Sequence, residues 1–147
     1  MRYILLLVAI IGIVDASFAL REHYRVGASP CSINEKWDCG IVNHSPYAVM
    51  GGIPVATIGI AGYLFLGILA FMRRYALMLG AAILGLAFSL YLAHIEQSVL
   101  GVWCVYCAIS LGLISLFTLL AAGTVVFQGL RRSRAGSTVE GTGPSPS

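Results

Sequence analysis

Charge is scarce in this sequence: six acidic and nine basic residues serve a chain of 147, a charged fraction of 10%. Soluble globular domains carry roughly 25%, and so few charges cannot cover a water-facing surface of this size. The same scarcity excludes intrinsic disorder and a surface coiled coil. A net charge of +3 without a basic stripe leaves no footprint for nucleic acid. Residues 53–72, 76–95 and 108–127 hold no Asp, Glu, Lys or Arg at all. The sequence carries no fingerprint for a nicotinamide or flavin, and no internal repeat.

What is present is apolar: 59% of the residues are hydrophobic, and the mean hydropathy is +0.89. Residues 4–20 add a fourth apolar stretch, interrupted only by Asp15 and Ser17. Crossing about 30 Å of hydrocarbon takes roughly 20 helical residues, and helix satisfies the backbone there. The expected fold class is therefore all-α membrane protein, a four-transmembrane-helix bundle within residues 1–130. Its long extracytoplasmic loop, residues 21–52, is expected to contain a short helix. A disordered cytoplasmic tail, basic and then rich in Gly, Ser and Pro, is expected over residues 131–147. Arg2, Arg73, Arg74, Arg131, Arg132 and Arg134 fall on one side of this arrangement, against Arg21, Arg25 and Lys36 on the other. The positive-inside bias then expects a multi-pass protein of the cytoplasmic (inner) membrane with both termini in the cytoplasm. Ser17-Phe18-Ala19 resembles a signal-peptide cleavage site, but Asp15 sits badly in a signal's apolar core. Glycines in the three later stretches, from Gly59 to Gly123, are expected to let helices approach closely.

The cysteines carry the chemistry. All four fall on the outward side, as a pair Cys31 and Cys39 in the long loop and a pair Cys104 and Cys107 at the mouth of the last helix. That is the compartment in which disulfides persist. In Cys104-Val105-Tyr106-Cys107 the two thiols stand at i and i+3, a separation that suits a disulfide on one helix face. Unpaired amides at a helix start lower a thiol pKa, so Cys104 is expected to be the more acidic and more exposed thiol. Cys107 is expected a turn deeper. A static staple and a zinc site are the alternatives; so short a loop contributes little as a staple, and zinc sites favour small soluble folds. A mobile loop pair beside a fixed helix pair suggests a relay by thiol–disulfide exchange. Ser45-Pro46 reads as an N-cap and first turn of a short helix over residues 46–50.

Taken together, the loop pair, Ser45-Pro46-Tyr47-Ala48 with Gly52-Ile53-Pro54-Val55 after it, Tyr91-Leu92, and Trp103-Cys104-Val105-Tyr106-Cys107 resemble the vitamin K epoxide reductase family in its bacterial form. The resemblance implies a thiol oxidoreductase that takes electrons from an extracytoplasmic thioredoxin-like, DsbA-like protein and delivers them to a membrane quinone of the menaquinone, ubiquinone or vitamin K type. It implies Cys104 and Cys107 as the active pair, with Cys107 nearest the quinone, and Cys31 and Cys39 as the shuttle pair. Ser45, Cys107, Trp103 and Leu111 are the residues expected at the quinone. Leu111 stands where the vertebrate enzymes have a Tyr, and Ile53 or Pro54 where they have an Asn. Quinone reduction is therefore implied and epoxide reduction is not. The sequence holds no fused thioredoxin-like domain, so the partner is expected in trans.

Several residues are left without a role. Asp15 is an ionisable group within a span, which makes it a functional candidate. His94 and Glu96 lie near the outer face, and Glu96 resembles an acid found there in bacterial members. His23, His44 and Trp37 have no constellation around them in sequence. A tetraspan protein with static outer disulfides is the reading from another class. The DsbB type of enzyme carries its cysteine motifs in the opposite order.

Overall fold

The computed structural model describes residues 1–140, with side chains through residue 137. The apolar stretches form helices, as a backbone with no water to bond must. These are α1 (Arg2–His23), α3 (Val55–Phe71), α4 (Tyr75–Ile95) and α5 (Val105–Glu140); a short α2 (Cys39–Asn43) lies in the long loop. A π-helical turn, Glu96–Leu100, extends α4 and stops at Gly101. The four long helices pack in a ring in the order α1, α3, α4, α5.

The two ends of this ring differ. Leu5, Leu66, Ala70, Met78, Ala82, Phe117 and Ala121 close-pack the end away from the cysteines. Near the middle, Tyr63 of α3 crosses to α5, donating its hydroxyl proton to the Ser110 carbonyl at 3.0 Å. Its ring lies where a Cβ on Gly12 of α1 would be, 2.5 Å from that position. The other end is hollow, and the cysteines gather there. Of the glycines expected at helix contacts, Gly59, Gly67 and Gly85 meet a neighbouring helix; Gly62, Gly80, Gly112 and Gly123 meet nothing within 4 Å among the described residues.

The structure redraws the segment before α3. Residues 46–50 do not form one helix: Pro46–Ala48 makes a single 3-10 turn, and Val49–Met50 (β1) then pairs antiparallel with Ile53–Pro54 (β2). Gly51 and Gly52 have φ of 60° and 83°, the two positive values that a type I′ hairpin turn requires. The hairpin takes residues expected in the second span, and Met72 becomes the cap of α3. The helix is left with 17 residues, about 26 Å long at 1.5 Å per residue, against roughly 30 Å of hydrocarbon.

Three helices are long and apolar enough to cross a membrane: Arg2–His23, Tyr75–Leu100 and Val105–Ser137. Three crossings put the two ends of the chain on opposite sides, which overturns the expectation of both termini in the cytoplasm. The expected tail is corrected as well. Helix α5 continues through Arg131, Arg132 and Arg134 to Glu140, because extending a formed helix needs no new nucleus and Arg and Ala are good helix formers. Residues 141–147 lie outside the described residues.

Candidate active site

The loop after α1 is held down rather than free. Glu22, at the end of α1 and 3% exposed, accepts a hydrogen bond from the Ser29 hydroxyl at 2.5 Å and pairs with Arg25 at 3.4 Å. Asp38 caps α2, accepting from the Ile41 amide at 3.1 Å and the Ser32 hydroxyl at 2.8 Å. The Ser32 hydrogen bond first, then the amides, hold the Asp38 carboxyl below the usual carboxylate range. The cap sets Cys39 as the first residue of α2. It forms a disulfide with Cys31, with the Cα atoms 5.5 Å apart.

A second clamp ties this loop to the other cysteine pair. The Trp103 amide donates to the Lys36 carbonyl at 2.7 Å, and the Asp38 amide donates to the Trp103 carbonyl at 3.0 Å. The Trp37 and Trp103 rings meet with centroids 6.2 Å apart. Cys104 therefore follows directly on a strand-like contact with the residues preceding Cys39. Cys31, Cys39 and Cys104 share one buried cluster, with Cys107 packed against it. The loop expected to be mobile is pinned.

Cys104 sits just before α5 and Cys107 within its first turn; both are free thiols. The exposures are the reverse of those expected: Cys104 is fully buried, and Cys107 is the partly accessible one. The acidity of Cys104 is as expected. The Cys107 thiol, hydrogen-bonded to the Cys104 sulfur, and the amides of Cys107 and Tyr106 hold Cys104 below the ordinary thiol range, against burial and the nearby Glu96. Glu96, 3% exposed in the π-helical turn, accepts the Cys104 amide at 3.1 Å and is hydrogen-bonded to Cys107.

Asn43 was silent in the sequence, and the structure gives it a place. Its side-chain amide donates to the Cys39 carbonyl at 2.9 Å and faces the Cys104 sulfur at 3.7 Å, so it touches both cysteine pairs. His23 in turn bonds the Asn43 carbonyl at 2.6 Å, a constellation with no signature in the sequence. His94 meets only Ser98, at 3.4 Å, among the described residues.

Beneath the cysteines a partly open cavity of about 120 Å³ runs between α1, α3, α4 and α5. Phe88, Leu92, Ile95, Pro54 and Val55 give it apolar walls, and Asp15, Ser45, Glu96 and Cys107 supply polar groups. Ser45 is thus at the cavity, but its hydroxyl donates to the Val42 carbonyl at 2.7 Å rather than capping a helix. Trp103 and Leu111 are not among the lining residues. Trp103 serves the loop clamp instead, and Leu111 lies on α5 about one turn past Cys107. No group of His, Cys, Asp and Glu that could hold a metal occurs among the described residues.

No curated protein matches the chain. The sequence pattern of the Vitamin K epoxide reductase family matches residues 3–122, a span that holds all four cysteines and every wall of the cavity. The chain belongs to the vitamin K epoxide reductase family.

Proposed function

We propose that this protein oxidises the dithiol of a thioredoxin-like partner and passes the electron pair through its two cysteine pairs to a membrane quinone. The observation that carries the proposal is the placement of Cys107, in contact with the cysteine cluster on one side and the cavity on the other.

Each transfer breaks one disulfide and forms another. The partner's thiolate attacks Cys31, which is 8% exposed while Cys39 is fully buried. Cys39 leaves, and the partner's second thiol completes its own disulfide and releases Cys31. Cys39 then attacks Cys104 of the oxidised Cys104–Cys107 pair, and Cys31 closes back on Cys39. Cys104 and Cys107 are left reduced, with the disulfide restored between Cys31 and Cys39. Cys107 delivers the two electrons into the cavity as it re-forms its bond to Cys104.

The residues fit a quinone ring. An apolar cavity of about 150 Å³ admits benzene; this one, at about 120 Å³ and partly open, takes part of a ring and leaves the rest and any tail to its open side. A quinone bound there supplies an acceptor for two electrons and two protons that diffuses within the membrane.

The test is oxidation of a reduced thioredoxin-like protein by the purified enzyme in detergent. Thiols should disappear in proportion to added quinone. Without quinone, oxidation should stop once the enzyme's own cysteines are reduced. Continued oxidation in the absence of quinone overturns the proposal.

A further inference from the structure

Three side chains lining the cavity are both polar and buried: Asp15, Asn43 and Glu96. Two of them are engaged. Asn43 donates to the Cys39 carbonyl, and Glu96 accepts the Cys104 amide and bonds Cys107. Ser45, half-buried, has already given its only hydroxyl proton to Val42. Asp15 differs from all of these. It is 7% exposed on α1, and its Oδ2 has no hydrogen-bond partner among the described residues.

A buried polar atom left unsatisfied costs about 1–3 kcal/mol, more when the group is charged. Among the described residues no hydrogen bond offsets that cost for Asp15. The Tyr63 hydroxyl, on the facing α3, is committed to Ser110. A carboxyl kept in an apolar wall without a partner carries its proton, since an unpaired charge there is far more costly. A carboxylic acid is a hydrogen-bond donor. A quinone offers two carbonyl oxygens, which only accept. The cavity's free buried donor and the expected ligand are therefore complementary.

Resting on the quinone-linked function proposed above, we infer that Asp15 is a catalytic residue that hydrogen-bonds one quinone oxygen and donates a proton to it. As the S–S bond between Cys104 and Cys107 forms, the dithiol loses two electrons and two protons. The ring gains two electrons, and its two oxygens gain two protons. Asp15 gives one of these and is recharged from water. Glu96, bonded to Cys107, accepts the proton leaving that thiol and passes it to the other oxygen. The second thiol proton goes to water, which closes the balance. The two carboxyls act differently: Glu96 relays the Cys107 proton, and Asp15 holds the ligand and supplies a proton of its own.

The experiment uses the full chain with menadione as the probe, and compares Asp15→Asn with Asp15→Leu. Binding is read in a Cys107→Ala background, where no electron transfer occurs, from quenching of tryptophan fluorescence. Asp15→Asn keeps a donor of the same shape and should bind menadione nearly as the parent does. Asp15→Leu should bind about tenfold more weakly, the loss of one hydrogen bond. With Cys107 present, Asp15→Asn should still slow menadiol formation by about 100-fold, the usual contribution of a general acid. Infrared difference spectra should show a protonated carboxyl band that shifts when menadione is added and is absent from both variants. Asp15→Leu binding and reducing menadione as the parent does overturns the assignment while leaving the function standing. A parent protein that neither binds nor reduces menadione overturns both.

Discussion

Gly12 has no side chain because Tyr63 occupies the space a side chain needs, and Tyr63 has only one place to go. Its hydroxyl is fixed to Ser110 on α5, so the ring cannot swing aside without breaking a buried hydrogen bond. Gly12→Ala should destabilise the protein by about 1–3 kcal/mol, the range for overpacking a filled core, read as a lower melting temperature in detergent. A second prediction concerns Cys104, whose thiol is held below the ordinary range chiefly by the hydrogen bond from Cys107. That bond favours the thiolate, so at a given pH more of Cys104 is ionised than of a free cysteine. Cys107→Ala removes the donor, and the thiolate absorbance of Cys104 in the reduced protein should then appear at higher pH than in the parent. An unchanged or lower midpoint contradicts the assignment of that shift to Cys107.

Among the elements, the loop pair and the helix pair were legible as pairs because cysteines clustered at one end of a membrane bundle have few other uses. Their relative placement was not legible. It depends on the Trp37–Trp103 clamp and on Asn43, contacts between segments some sixty residues apart that leave no periodicity in the sequence. The inverted exposure of Cys104 has the same origin, since the loop that covers it comes from a distant part of the chain. The hairpin of β1 and β2 was missed because Ile53 and Pro54 read as the start of an apolar run, although Gly51-Gly52 is a turn signal. The clamp makes a specific prediction about trapped species. With Cys31 and Cys107 both replaced by Ala, no thiol remains to release Cys104, which should accumulate in a disulfide with Cys39 under oxidising conditions. In Cys39→Ala, Cys31 should accumulate in a disulfide with the partner. Non-reducing peptide maps separate the cases. A doubly substituted protein in which Cys39 and Cys104 stay unlinked under oxidising conditions makes the two pairs independent staples.

At the scale of the whole molecule, composition alone was enough to read a multi-helix membrane protein. The number of crossings was not, because it turns on three residues at the ends of one helix, two given to the hairpin and one to a cap. The molecule is polar in the sense of a battery: cysteines, cavity and the only lysine at one end, and a close-packed core with Arg73 and Arg74 at the other. Impermeant reagents should reach tags at the two ends of the chain from opposite faces of sealed vesicles, as three crossings require. Access to both ends from one face contradicts this arrangement.

The clamp at Trp103 also bears on rate. It holds Cys39 and Cys104 in one buried cluster, so the exchange proposed between them is an event within one molecule, governed by an effective concentration rather than by how much protein is present. Well-oriented intramolecular reactions reach effective molarities of about 10⁵ M and above, far beyond any concentration a soluble thiol attains. In the proposed cycle, turnover is then set at the two places where the clamp gives no help, the collision with the partner at Cys31 and the exchange of quinone for quinol through the cavity mouth. Throughput rises with the supply of either, and loosening the tryptophan pair converts a fast internal step into the bottleneck.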